Sequence, residues 1–187
     1  DRARDYESLG QRFESSWARQ KVMDERFIHF MKMALEEAWK AFEEGEVPIG
    51  AVLVKGDEVL VRDHNRTLSL GDPTAHAEIL VLREGARVVG NYRLNGTELY
   101  VSVEPCLMCS GALVWARVER LIFGCRDEKG GALSLYGVFS DGKLNHRPEV
   151  VEGVLAEEAR EVLQRFFKER RGTEAVVTGP TRNRLCR

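Results

Sequence analysis

Two short motifs contain the side chains of this sequence that are best suited to chemistry. His76 and Glu78 are separated by one residue in "DPTAHAEI", and Cys106 and Cys109 by two residues in "EPCLMC". Cysteines at this spacing share a face at the start of a helix, with Cβ atoms about 5–6 Å apart. Two thiolates so placed can both bind one Zn²⁺ at about 2.3 Å. We therefore take His76, Cys106 and Cys109 as candidate zinc ligands.

Three protein ligands without a clear fourth are typical of a catalytic zinc site, in which water takes the remaining position. Glu78 supports this interpretation, because a carboxylate beside that water is placed to take its proton and deliver it elsewhere. A closed structural site is one alternative, with Cys125, His64 or His146 as a fourth ligand, but it gives Glu78 no role. A redox pair or two buried thiols would also explain a Cys-x-x-Cys motif on its own. We expect His64 and His146 to be structural hydrogen-bonding residues.

The elements that must position these motifs follow from hydrophobic periodicity and from turn residues. Apolar residues at helical spacing predict a first helix from Asp24 to about Glu44, which ends at Gly45. A hairpin centred on Lys55-Gly56-Asp57 follows it. The later predicted elements are, in chain order, a helix over 76–89, a strand over 97–104, a helix over 106–118, a strand over 120–125, an irregular segment over 127–148, a strand over 149–154 and a helix over 156–171.

The alternation of strands and helices predicts an α/β fold with parallel strand pairs and helices on both faces of the sheet. The opening hairpin makes that sheet mixed. Both motifs lie where a helix begins, and the second directly follows a strand, which is where sites form in open α/β sheets. We expect Asp72 or Thr74 to cap the helix that carries His76 and Glu78. Side chains that tilt toward the helix N-terminus could then reach a metal ion in front of it.

Composition limits the classes of function that fit the chain. The 187 residues are 43% apolar and 31% charged, as in an ordinary soluble globular domain. The net charge of −2 gives no global case for nucleic-acid binding, so any such case depends on local patches. The four cysteines lack the dense pattern of a secreted disulfide scaffold, and no apolar run is long enough to span a membrane. We therefore expect a cytoplasmic protein.

The two motifs match the His-x-Glu and Pro-Cys-x-x-Cys signature of the zinc deaminases. The sequence also resembles the bacterial tRNA-specific adenosine deaminases, members of the zinc-dependent cytidine/deoxycytidylate deaminase superfamily, over residues 24–171. We expect this range to be the deaminase domain, preceded by an N-terminal extension over 1–23 that could form a short helix and followed by a flexible C-terminal tail over 172–187. The segments that carry the resemblance are "EVPIGAVLV", "HNR", "DPTAHAEI", "LYVSVEPCLMCSGAL", "FGCRDEKGGA", "LNHRPEV" and "FFKERR".

The resemblance implies a fold, a cofactor, a substrate and a partner. The fold would be a three-layer α/β/α, cytidine-deaminase-like arrangement with a mixed five-stranded sheet. The cofactor would be one Zn²⁺ per chain. The substrate would be a tRNA anticodon stem-loop, in which adenosine at the wobble position becomes inosine. The protein would act as a homodimer, without a membrane partner.

The resemblance also implies a role for individual residues. Glu78 would be the general acid and base, and Asn65 would hydrogen-bond the flipped base. The backbone N–H groups of Ala77 and Cys106 would meet the base or the attacked carbon. The other expected substrate contacts are Val47 and Pro48 at the base pocket, Asp127 and Lys129 at the flanking nucleotides, and Phe167, Arg170 and Arg171 at the stem-loop.

Two other functions share part of this pattern. A deaminase of a free nucleobase or nucleoside, such as guanine, cytosine or cytidine, has the same zinc core. The case for RNA therefore depends on segments outside the core, such as the basic and aromatic "RFFKERR". Cations at the end of a helix also complement its dipole without any ligand. A non-catalytic RNA-binding chain of the same fold would be expected to lack the catalytic carboxylate, but Glu78 is present.

Overall fold

The computed structural model describes residues 25–140 and 142–177, with side chains as far as Arg171. Helix α1 covers residues 25–43. The remaining elements are β1 (Gly50–Lys55), β2 (Glu58–His64), α2 (Ala77–Val89), β3 (Thr97–Val103), α3 (Leu107–Ala116), β4 (Arg120–Cys125), α4 (Ala132–Tyr136), β5 (Glu149–Glu152) and α5 (Ala156–Val177).

The five strands form one mixed sheet in the order β2-β1-β3-β4-β5. Strand β1 is antiparallel to β2 and to β3, whereas β3, β4 and β5 run parallel to one another. Gly56, at the turn between β1 and β2, has a φ of 59°, a conformation that glycine adopts without steric cost. The predicted mixed five-stranded sheet is therefore confirmed.

Side chains alternate between the two faces of strand β3, and each face is covered by helices. Leu99 and Val101 pack with residues of α2 and α3, including Val81 and Leu113. Tyr100 points to the opposite face and packs against α1. Helix α5 lies beside α1, where Phe166 contacts Phe42, and its Ala159 packs with Val103 and Cys125 at the carboxyl ends of β3 and β4. The predicted three-layer α/β/α arrangement is confirmed, and the carboxyl ends of β3 and β4 meet at one edge of the sheet.

Besides ends that shift by one or two residues, as in α3 and β5, the structure differs from the predicted elements at two places. The segment expected to be irregular contains the five-residue helix α4, which is too short to produce a periodic pattern. Helix α5 continues to Val177, past Arg171, because a single glycine such as Gly172 weakens a helix by only about 1 kcal/mol. Residues 1–23, expected to be an extension, and the tail beyond 177 lie outside the described residues. Within the described part of the chain, no helix is long and apolar enough to cross a membrane.

Candidate active site

His76, Cys106 and Cys109 form a cluster that fits a tetrahedral metal ion. Their ligand atoms all lie within 4.8 Å of one another. The Nδ1 atom of His76 is 3.7 Å from Cys106 Sγ and 3.6 Å from Cys109 Sγ. Zinc bound to an imidazole nitrogen at about 2.1 Å and to a thiolate at about 2.3 Å requires an N···S separation of about 3.6 Å. Both N···S separations are thus already close to the distance that zinc requires.

The pKa values of Cys106 and Cys109 also favour a bound cation. Hydrogen bonds from Cys109 and His76 lower the pKa of Cys106, which favours its thiolate form. The hydrogen bond to Cys106 and burial raise the pKa of Cys109. Two adjacent sulfurs cannot both ionise easily without a compensating positive charge, and a divalent metal ion supplies that charge. The donor set is therefore consistent with zinc.

Glu78 is a buried carboxylate beside this cluster, with only 3% of its surface exposed. Burial raises its pKa, because removal from water penalises the charged form. No hydrogen bond to its Oε2 atom is found within the described residues. Most buried polar atoms have such a partner, so the exception points to a function. A carboxyl group of this kind can exchange protons with a ligand at the metal.

The two motifs meet because a metal-ligand candidate is the N-cap residue of each helix. His76 precedes α2 with φ −76° and ψ 150°, and Cys106 precedes α3 with φ −70° and ψ 173°. His76 has an extended backbone, so it is not related to Glu78 by the helical rotation of about 100° per residue. The prediction that Asp72 or Thr74 caps α2 is wrong. The Asp72 carboxylate instead accepts the N–H and hydroxyl of Thr74 and stabilises the preceding turn.

The structure argues against each of the proposed fourth protein ligands. Cys125 is buried and packs with Val103 and with Ala159 of α5. His64 contacts carboxylate oxygens of Glu37 and Glu44 with its two ring nitrogens. His146 contacts the carbonyl oxygen of Val118. Within the described residues, the metal-binding groups that lie close enough together are His76, Cys106 and Cys109.

Asn65 lies next to the cluster and is held in a fixed orientation. It is buried, and its Oδ1 atom accepts the backbone N–H of Ala77 at 2.8 Å. The Ala77 N–H therefore binds Asn65 in this structure, and its expected contact with the substrate base remains a prediction. This hydrogen bond leaves the Nδ2 group of Asn65 as the donor for a ligand.

A groove of about 1300 Å³ runs along α5 and brings together five of the expected substrate residues. Its lining includes neither the three candidate ligands nor Glu78. The loop that forms one wall is joined to Cys106 through a backbone bridge to Gly131. The Gly131 N–H also donates to the carbonyl of Asp127 at 2.8 Å. The expected residues that line the groove are Val47, Asp127, Lys129, Phe167 and Arg171.

Pro48 and Arg170 do not line this groove. Pro48 is buried, in a tight turn that the Ile49 N–H closes by donating to the Val47 carbonyl at 2.8 Å. Arg170 donates to the carbonyl of Gly45 at 2.8 Å, and its guanidinium lies over the ring of Phe166. Pro48 is thus part of the α1–β1 connection, and Arg170 joins that connection to α5.

Two buried carboxylates near the site were not singled out from the sequence. Glu46 has 1% of its surface exposed and accepts backbone N–H groups of Leu68 and Ser69. Glu104 has 3% exposed and accepts the backbone N–H groups of Asp127 and Ser134. The signal that could have revealed them is an acidic residue at the end of an apolar segment, "EVPIG" for the first and "LYVSVEPC" for the second. Each holds a loop that approaches the site.

Comparison with known proteins agrees with this geometry. Residues 24–125, more than half of the chain, match the family described as the cytidine and deoxycytidylate deaminase zinc-binding region. The tRNA-specific adenosine deaminase of Aquifex aeolicus is 48% identical over 76% of this chain and 95% of its own length.

Two solved structures distinguish a close relative from a protein that shares only the fold. A tRNA:A34 deaminase structure, from work on A-to-I editing at the wobble position of transfer RNA, is 48% identical with a TM-score of 0.70. The match covers 72% of this chain and 99% of that one. A guanine deaminase from Nitrosomonas europaea is only 24% identical, with a TM-score of 0.62, over 74% of this chain and 83% of its own. That likeness shows the shared fold alone.

Proposed function

The chain belongs to the tRNA-specific adenosine deaminases of the cytidine and deoxycytidylate deaminase family, and we propose that it hydrolyses adenosine to inosine at the wobble position of a tRNA anticodon. The observation that carries the deaminase assignment is the position of Glu78. Its carboxyl group is buried beside three metal-ligand side chains, and one of its oxygens makes no hydrogen bond to the described residues. Neither a structural zinc site nor a redox pair requires such a group.

His76 Nδ1 and the sulfurs of Cys106 and Cys109 would hold the zinc. Zinc bound there would lower the pKa of a water molecule to about 7 and so supply a nucleophile at neutral pH. Glu78 would accept a proton from the attacking water and pass it to N1 of adenine. It would then carry the new hydroxyl proton to the departing amine, which leaves as ammonia. The raised pKa of the buried Glu78 suits a group that must both accept and donate protons.

The surrounding residues would hold the base and its neighbours. Asn65 would donate from Nδ2 to the flipped base, and the Val47-Pro48 turn would form one wall of its pocket. An RNA loop can present an unstacked base of this kind at a cost of only a few kcal/mol. Asp127 and Lys129 would contact the nucleotides on either side of the target. The stem-loop would lie against Phe167, Arg170 and Arg171, with Arg170 acting mainly by holding α5 in place.

The charge of the groove supports a polyanionic substrate. Among its lining residues, five are basic and three are acidic, although the chain as a whole has a net charge of −2. Arg126 is paired with Glu152, and Arg160 with Glu157, so the attraction of the phosphate backbone would come mainly from the other three basic residues. The basic residues are Arg126, Lys129, Arg160, Lys168 and Arg171, and the acidic residues are Asp127, Glu128 and Glu152.

We further propose that residues 24–171 form a deaminase domain that acts as a cytoplasmic homodimer. Helix α3 supports the dimer, because it is apolar on its exposed side as well as its buried side. Its exposed residues Leu107, Met108 and Trp115 form an apolar surface on the side away from the sheet. Helix α4 begins beside it, since the Ala132 N–H donates to the Pro105 carbonyl, and adds Leu135 and Tyr136. Such a surface is typical of an interface.

The competing function is deamination of a free base, and one comparison of substrates tests it. Ammonia release should be measured with an anticodon stem-loop and, in parallel, with guanine, cytidine and adenosine. We expect the stem-loop to be deaminated with the highest kcat/KM, because the groove adds contacts that a free base cannot make. Faster turnover of any of the three small substrates would contradict the assignment to tRNA.

A further inference from the structure

Glu104 joins the metal-ligand region to the loop that carries two of the expected substrate contacts. It directly follows β3 and stands two residues before Cys106. Its buried carboxylate accepts the Asp127 N–H at 3.0 Å, the Ser134 N–H at 2.7 Å and the Ser134 hydroxyl at 2.6 Å. All three donors are neutral groups from one segment, residues 126–134. An ionised carboxylate can accept all three hydrogen bonds at once, whereas an amide side chain has only one acceptor oxygen.

The same segment is packed against Glu104 so closely that only glycine fits between them. A Cβ atom at Gly131 would overlap the Glu104 carboxyl group and would lie 2.5 Å from the carbonyl oxygen of Asp127. Next to Gly131, the Ala132 N–H donates to the Pro105 carbonyl at 2.9 Å. Side-chain and backbone contacts thus hold residues 126–134 against Glu104 and against the adjacent Pro105.

Asp127, whose backbone N–H donates to Glu104, is in turn bonded to a second residue of the groove. The Oδ1 atom of Asp127 accepts the Lys129 N–H at 3.0 Å, so the direction of one residue depends on the other. Both residues line the groove. A change at Glu104 therefore moves Asp127 and Lys129 together, relative to Cys106.

We propose that Glu104 is a positioning residue that sets the distance between the metal site and the Asp127–Lys129 loop, and so determines which nucleotides are accepted beside the target adenosine. This inference rests on the proposed function, in which the loop contacts those nucleotides. Glu104 itself does not contact the base. Its carboxylate would hold the loop at the distance from the metal site at which the flanking nucleotides and the reacting base bind at the same time.

Two substitutions test the proposal by different means. Glu104→Gln keeps the size of the side chain but removes an acceptor oxygen, and Gly131→Ala leaves the carboxylate but pushes it away. Glu98→Gln is the matched control, because Glu98 lies at the opposite end of β3 and accepts hydrogen bonds from Arg26 and Arg120. Ser134→Ala removes one of the three donors and is the milder variant should the others fold poorly.

Three measurements distinguish positioning from a general loss of structure. Zinc content and the melting temperature report on the metal site and on stability. Amide hydrogen exchange over residues 126–134 reports on the loop without any substrate. Steady-state kinetics with stem-loops that differ only in the nucleotides flanking the target report on recognition.

We expect Glu104→Gln and Gly131→Ala to retain zinc and to exchange the 126–134 amides faster. We also expect their KM to rise about 10-fold, with kcat changed less than about 3-fold, because a lost positioning contact acts on binding. The preference among flanking nucleotides should fall, while Glu98→Gln should change only stability. Unchanged exchange and unchanged preference in both variants, or equal effects in the control, would overturn the proposal. If the wild type does not deaminate stem-loops at all, the proposed function fails, and the exchange result still decides whether Glu104 holds the loop.

Discussion

The reactive side chains of this protein lie at the tips of two helices whose bodies are part of the core. Val81 and Leu82 of α2, and Leu113 of α3, are buried against the sheet. This packing fixes the helix starts, which carry the candidate ligands and Glu78. This explains how Glu78 can be buried beside the candidate ligands and still have an oxygen atom free to bind a ligand.

The cysteines allow a test of the metal site, because one residue of the same type lies nearby but outside the cluster. Cys109→Ser should lose most of its zinc, and activity should fall by at least about 100-fold, since a serine hydroxyl is a poor zinc ligand. Cys125→Ser should keep its zinc, because Cys125 packs against α5 instead. Zinc content by mass spectrometry of metals and ammonia release provide the readouts. Full zinc content in Cys109→Ser would contradict the ligand assignment.

At the scale of elements, the loop between β2 and α2 is held by one buried carboxylate. Glu46 accepts the Leu68 and Ser69 N–H groups and the Thr67 hydroxyl. Burial alone would raise its pKa, but hydrogen bonds from Ser69 and Leu68 outweigh burial, and the pKa lies below its usual value. The loop connects Asn65 with His76, so Glu46 stabilises the segment that joins the proposed base-binding residue to a candidate zinc ligand.

Replacing Glu46 by Gln should lower the free energy of unfolding at pH 7 by about 1–3 kcal/mol, because charge-assisted hydrogen bonds are lost. The stabilisation is complete above the unfolded-state pKa of about 4.3, and it is lost as the pH falls through the lower folded-state value. The difference between wild type and variant should therefore shrink below about pH 4. Urea unfolding at neutral and acidic pH measures it. If the free energies of unfolding of wild type and variant differ by the same amount at both pH values, the charge of Glu46 plays no part in this stabilisation.

Helix α5 provides two adjacent arginines with different surroundings. Arg170 is bound to Gly45 and Phe166, whereas Arg171 faces the groove. We expect Arg171→Ala to weaken stem-loop binding and to reduce the slope of log Kd against log salt by about 1, because one phosphate contact is lost. Arg170→Ala should mainly lower the melting temperature. Equal effects of both variants on the salt dependence would contradict this division of roles.

Patterns in the sequence predicted the elements more successfully than their ends. Strands and long helices have periodic apolar residues, and the zinc-ligand candidates could be identified from residue type and spacing. The N-cap position of His76 could not be predicted, because Asp72 is the better capping residue by type but binds within a local turn instead. The role of Arg170 was also hidden, because its partner Gly45 is 125 residues away in the sequence.

At the scale of the whole molecule, the apolar surface of α3 predicts self-association. Trp115 has 75% of its surface exposed, more than any other large apolar residue in the described part of the chain. Trp115→Glu should convert the proposed dimer to a monomer, because a charge at an apolar interface is left without a partner. Ile28→Lys is the control, since Ile28 lies on α1, on the opposite side of the sheet. Light scattering after size-exclusion chromatography measures the mass, and an unchanged dimer in Trp115→Glu would place the interface elsewhere.

The most direct test of the central claim is inosine mapping after incubation with total tRNA. Wild-type protein and Glu78→Ala should be compared at equal zinc content, and inosine should be read from A-to-G changes in the sequenced RNA. We predict inosine at the wobble position with the wild type. With the variant we predict a rate at least about 100-fold lower, because the group that moves the protons is absent. Wobble inosine formed equally by Glu78→Ala, or none formed by the zinc-loaded wild type, would contradict the account.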